Sequence, residues 1–311
     1  MTGGADAHRA SRPVGGAAAV VVAAALWGTT GTATHFAPGV PASVFGAVTF
    51  GVGGLVLAAL AGRGALRAVA AVGTRRWVML GAGSLVVYAV AFYAALADAG
   101  VALGTTVAIG SSPVFAGLVE WAAAGRRVTP RWVVATLVSV AGMVLVTLAR
   151  AGDPVADGSL ALGLVWALLA GLTYALYSWA VAGGMRALPS AGAPRGGRGL
   201  VGAVFGLAAV PLLVLLAVSG GPSLADPDHW AVFVYLALVP TAVGHALYAA
   251  GLRSVDASVA TLLSLLEPVV AAVLAVLVVG EHLGAAGWAG VVLVVVGLAV
   301  LGLPGARVRR R

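Results

Sequence analysis

Residues 260 to 284 read ATLLSLLEPVVAAVLAVLVVGEHLG, and the reading of this stretch decides the fold. It is apolar for long enough to cross a bilayer, because a hydrocarbon core about 30 Å thick takes roughly 20 residues of helix. One carboxylate, Glu267, stands near its middle and is followed at once by Pro268. A charge at that depth is costly and faces a bundle interior or a wet cavity. A proline in the next position removes a backbone donor and weakens the helical ladder beside it. Acid and breaker inside one span point together to a transport site, although neither alone would.

The composition agrees with a membrane location. Of 311 residues, 61% are apolar and only 9% charged, whereas soluble domains carry about a quarter charged. The absence of cysteine excludes a disulfide framework, a thiolate nucleophile and a Cys-based zinc site. The net charge of +8 does not describe a nucleic-acid surface, since the basic residues are all arginine and lie in short clusters between apolar runs. That is the pattern of the positive-inside bias.

Outward from the opening stretch, apolar runs occupy 14–36, 41–62, 76–97, 101–124, 131–149, 159–183, 199–218, 229–251, 256–279 and 285–303. They predict an all-α integral membrane protein of ten spans, with Pro38, Pro41, Pro130, Pro154, Pro189, Pro194, Pro222 and Pro227 in the connections. The first run is too long for a signal-peptide apolar segment and contains Trp27-Gly28-Thr29-Thr30, so it reads as a span that stays. With the N-terminus inside, alternate loops place every arginine except Arg150 on the inner face. Both termini are therefore expected in the cytoplasm, as tails 1–13 and 304–311.

A repeat is visible. A shift of 155 residues pairs Tyr93-Ala94-Ala95 with Tyr248-Ala249-Ala250, Thr106 with Thr261, Pro113-Val114 with Pro268-Val269, Gly125 with Gly280 and Gly142 with Gly297. The halves, 14–149 and 150–303, hold five spans each, an odd number, so they are expected to be inverted relative to one another. Inverted repeats around a central site are a common plan of secondary transporters.

The sequence resembles the drug/metabolite transporter superfamily, in its ten-helix branch with two EamA-type domains. The resemblance rests on Leu26-Trp27-Gly28-Thr29-Thr30-Gly31, on Ser112-Pro113-Val114-Phe115 through Gly125 to Gly142, and on Leu266-Glu267-Pro268-Val269-Val270 with Gly280-Glu281, Gly290 and Gly297. It covers about 15 to 303, and departs from the pattern at Arg126, where many members carry glutamate. It implies a basket of ten helices around a cavity lined by the first, third, fourth, sixth, eighth and ninth, and a cargo drawn from amino acids, metabolites, sugars, nucleotide sugars or drugs.

Glu267 falls near the membrane midplane, where it would bind a substrate ammonium or take up a proton; the bland alternative is a structural carboxyl. Ser112 holds the matching place in the first half, beside Ser111 and Pro113, and its hydroxyl either meets a solute or bonds back to its own helix. Glu120 lies near the arginine-rich end, where it is expected to snorkel or to pair with Arg126 or Arg127 in a structural role, the alternative being a functional acid. Ser264 falls on a face near Glu267; His245, four residues beyond Thr241 and three before Tyr248, is the side chain that titrates near neutral pH and reads either as a coupling partner of Glu267 or as a satisfied interhelical donor. Trp27, Tyr88, Tyr93, Trp166, Tyr174, Tyr177 and Tyr248 lie deep and read as cavity wall. Trp77, Trp121, Trp132, Trp230 and Trp288 lie near span ends and read as an interfacial belt. Gly202 and Gly206, spaced GxxxG, read as a helix contact.

No HExxH, paired-aspartate or phosphate-loop signature appears, and Ser111-Ser112 has no histidine nearby in sequence. The expectation is a non-enzymatic secondary transporter in the plasma membrane, without cofactor or metal, as monomer or homodimer. It would export a small organic solute such as an amino acid, either coupled to protons or by facilitated diffusion. The alternatives are efflux of a cationic or aromatic drug and, in another class, a membrane receptor or enzyme.

Overall fold

In hydrocarbon every backbone N–H and C=O needs an internal partner, and an apolar run meets that demand as helix. The computed structural model describes residues 7–149, 159–188, 193–280 and 282–302, and among these the regular structure is helical, with no strand. Ten helices are long and apolar enough to cross a membrane: α1 (Gly15–His35), α2 (Ala42–Ala61), α3 (Val72–Ala99), α4 (Leu103–Ala124), α5 (Pro130–Ala149), α6 (Leu160–Ala187), α7 (Gly196–Ser219), α8 (Pro227–Gly251), α9 (Ala257–Val279) and α10 (Ala285–Gly302). Their ends depart from the runs read in the sequence by four residues at most. Arg150, Asp153, Asp157, Glu281 and the tail 304–311 lie outside the described residues, as do the side chains of Arg9, Arg12 and Arg195.

Three prolines inside spans shape the centre. Pro113 has no N–H for the Ile109 carbonyl, and the Ser112 hydroxyl donates to that carbonyl instead, at 2.8 Å. Pro240 leaves the Leu236 carbonyl free, and the Thr241 hydroxyl takes it at 2.9 Å while α8 widens into a π-helical stretch, Ala237–Gly244. At Pro268 the Ser264 carbonyl receives the Glu267 N–H at 3.0 Å. There α9 breaks into Ala257–Leu263 and Leu266–Leu274. Glu267 thus stands in the first turn of a half-helix, where unpaired N–H groups favour negative charge. Gly125 and Gly280, matched by the repeat, end α4 and α9 with φ of 64° and 82°, the left-handed cap that glycine adopts without strain.

The helices pack through small residues, as spans in lipid must. Gly142 of α5 and Gly290 of α10 face each other so closely that a methyl on either would lie 2.5 Å from the other's carbonyl oxygen. Gly202 and Gly206 of α7 seat against Leu57, Ala58 and Ala61 of α2. These contacts recur under the 155-residue shift. Gly51 meets Leu213 and its shifted pair, Gly206 with Ala58, also meets; Gly54 meets Ala209, its own counterpart. The Ser139 hydroxyl reaches the Val294 carbonyl at 3.4 Å across a separation of 155. At helix level, α3 packs on α6 as α8 packs on α1, and α4 packs on α6 as α9 packs on α1.

Candidate functional site

The middle of the bundle is a box of rings. Trp27 of α1 lies 4.8 Å from His245 and 5.1 Å from Tyr248 between ring centres, and its indole N–H donates to the Pro240 carbonyl at 2.9 Å. Tyr88 of α3 stands 5.5 Å from Tyr174 of α6, and Phe50 of α2 meets Tyr88 edge-on at 5.9 Å. Tyr174 stacks on Tyr248 at 6.2 Å, and Tyr177 on Tyr248 at 6.5 Å. Ser178 and Tyr248 share a hydroxyl hydrogen bond of 2.8 Å, and the Tyr174 hydroxyl lies 3.4 Å from that of Ser264. Trp27, Tyr177 and Tyr248 are buried, whereas Phe50, Tyr88, Phe92, Tyr93 and Tyr174 keep partial exposure.

Glu267 stands beside these rings. It is half-buried, within electrostatic reach of the Tyr88 and Tyr174 phenols. Its carboxylate has no hydrogen bond or ion pair to any described residue. Gly28 lets α1 close on it: a methyl there would lie 2.7 Å from the Glu267 carbonyl oxygen and 2.6 Å from Val270. Towards the end of the bundle away from the arginines, a depression of about 410 Å³ opens between Thr29, Thr32, Phe36, Tyr235 and Leu274. A Thr29–Tyr235 hydroxyl bond of 2.7 Å ties its walls.

The remaining expected residues divide. His245 is buried, its Nδ1 3.2 Å from the Thr241 carbonyl and its ring enclosed by Trp27, Phe50, Tyr177 and Phe205. Thr241 is buried and committed to Leu236, Ser112 to Ile109, Ser264 to Thr261, and Ser111 to Ala108 at 3.2 Å. Tyr93 fits over Gly46, and Trp166 packs against an alanine cluster of α3, α4 and α6 that Tyr88 and Phe92 also touch. Phe50 and Phe205, both against His245, are the members that sequence reading omitted; they are counterparts under the 155-residue shift, which is the signal for them.

Glu120 does something other than pair with Arg126 or Arg127. Its carboxylate accepts from the Ala257 N–H at 2.8 Å, the Ser258 N–H at 3.3 Å and the Ser258 hydroxyl at 2.6 Å, and so caps the start of α9. Arg126 pairs with Asp256, and Trp132, buried instead of lying in an interfacial belt, donates to the Ser258 carbonyl at 3.0 Å. α4 and α5 are thus tied to the start of α9 at the arginine-rich end.

The sequence profile of the EamA-like transporter family matches residues 14–148 and 161–303. A Bacillus subtilis (strain 168) protein, the uncharacterized transporter YwfM, is 32% identical over 289 residues, spanning 91% of this chain and 92% of its own. A protein of known crystal structure, 24% identical, superposes with a TM-score of 0.72 over 92% of this chain and 96% of its own, a likeness in fold.

Proposed function

Since the chain belongs to the EamA-like transporter family and is a multi-pass membrane protein of ten apolar helices, we propose that it is a secondary transporter exporting a small organic solute by alternating access. The observation that carries this reading is Glu267: a carboxylate at a helix break, close to the phenols of Tyr88 and Tyr174, with no hydrogen bond or ion pair to a described residue. A group left so is a binding or coupling position by default. Solute and proton would compete for it, which links the movement of one to the other. The recurrence of contacts under the 155-residue shift supports two inverted halves, 14–149 and 150–303, that rock about the box of rings. The arginine clusters support a plasma-membrane orientation with both termini cytoplasmic.

In proteoliposomes, solute counterflow should be abolished in a folded Glu267→Gln variant. Unchanged flux with unchanged pH dependence in that variant would remove Glu267 from the mechanism. Reporter fusions at Arg198 and Asp226 should read inside and outside respectively; both on one side would refute the topology.

A further inference from the structure

We infer that the arginine-rich end of the bundle holds a site for an anionic phospholipid, its phosphate on Arg127 and one acyl chain in a groove between α4 and α5. The site needs only the membrane-spanning fold and is independent of the cargo.

The groove has a volume of about 490 Å³. One wall is Val114, Leu118 and Trp121, which lie on a single face of α4 and are all exposed. They run about 10 Å along the helix, at 1.5 Å per residue, towards the end of the span at Ala124. Val128 and the Trp132 ring form the other wall. Gly117 lets the two approach: a methyl there would lie 3.0 Å from the ring and 3.1 Å from Val128. An exposed apolar face on a span meets lipid chains, and an exposed indole near the span's end lies at headgroup level.

Arg127 lines the same groove from the connection beyond Ala124. It is exposed, with no hydrogen bond or ion pair to a described residue, whereas neighbouring Arg126 is neutralised by Asp256. No acid lines the groove, and the Glu120 carboxylate is turned to the Ala257 and Ser258 N–H groups instead. A cation at the end of an apolar groove, with no anion of the protein to meet it, matches a phosphodiester whose chain lies in that groove. A free phosphate would leave the apolar walls uncovered. The 155-residue shift carries Leu118, Trp121, Arg127 and Trp132 to Val273, Val276, His282 and Gly287. The repeated fold therefore requires neither the indoles nor the arginine at this place. Trp132 also donates to the Ser258 carbonyl, so a chain packed on its ring supports the tie between α5 and the start of α9.

The full-length protein in detergent is titrated with phosphatidylglycerol, with phosphatidylcholine of the same chains and with inorganic phosphate. Native mass spectrometry reads retained lipid, and thermal unfolding reads stability. For the first lipid bound, phosphatidylglycerol should be favoured about fivefold over phosphatidylcholine, the preference that one arginine at a membrane surface confers. It should also raise the unfolding midpoint, and inorganic phosphate should not. Arg127→Gln should lose the preference and Arg127→Lys should keep it, while Arg186→Gln, outside the groove, should leave it intact. Leu118→Trp, which fills the groove from an exposed position, should lower retention of both lipids. Val114→Phe serves as the groove variant if Leu118→Trp is not monodisperse. Equal retention of the two lipids, a preference that survives Arg127→Gln, or retention that the groove variant leaves unchanged overturns the inference. Equal stabilisation by inorganic phosphate also overturns it, by giving Arg127 to a soluble anion. So does a dimer that the groove variant dissociates, since a second copy of the chain then covers the groove.

Discussion

Ser112 and Glu267 occupy matching positions beside a proline, and the two meet the missing hydrogen bond differently. Ser112 gives its hydroxyl to the Ile109 carbonyl, whereas at the other break the Glu267 backbone N–H does the work and leaves its side chain free. Ser112→Ala should therefore strand a buried carbonyl and cost about 1–3 kcal/mol, read as a lowered unfolding midpoint, with substrate affinity unchanged. A shift in affinity without loss of stability would mean that Ser112 faces the solute. The Tyr177 hydroxyl is buried without a partner, so Tyr177→Phe should be neutral or slightly stabilising. Tyr248→Phe breaks the bond to Ser178 and should cost about 0.5–1.5 kcal/mol. Equal losses in the two variants would contradict these assignments. Glu267 was legible in the sequence because an acid and a proline inside an apolar run are local facts. That Ser112 is occupied by its own helix was not, since the residues fit both readings until the hydroxyl's direction is known.

The first turn of α9 is held by groups from two other helices, and its behaviour follows from them. Glu120→Ala removes the acceptor of two N–H groups and one hydroxyl and should cost on the order of 2–3 kcal/mol. Amide exchange at Ala257 and Ser258 should rise in the same variant, and Glu120→Gln, which keeps one acceptor oxygen, should lose less. Exchange rates that do not change would show that the cap is dispensable. The spans themselves were readable because hydropathy over 20 residues is a property of the segment. The cap was not, because its partners are separated by 137 and 138 residues and only the packing of α4 on α9 joins them. Trp132 misled for the same reason: its place near a span end suggests the interface, while α9 turns it into a buried donor to Ser258.

Across the whole molecule, the principal helix pairings cross between the two halves. α3 and α4 pack on α6, α5 on α10, α2 on α7, and α1 on α8 and α9. The close glycine approaches lie on these seams, Gly142 on Gly290 and Gly54 on Ala209, where the backbones meet and no side chain could fill a gap. The seams α2 with α7 and α5 with α10 each join a helix to its own counterpart under the shift, so a partner half is what completes every face. Neither half buries its own small-residue stripes, and the electrostatic contact of Glu267 with Tyr88 of α3 exists only when both are present. A chain divided between Ala149 and Ser159 tests this. Expressed alone, 1–149 and 159–311 should each fail to give a monodisperse, protease-resistant protein, because α5 would expose Gly142 and α10 would expose Gly290 to lipid. Expressed together they should reassemble and recover ligand-induced thermal stabilisation, since the seams named lie within 7–149 and 159–302. A first or second half that is stable by itself would show that packing within a half suffices, and would reduce the pairing across the halves to a contact between finished domains.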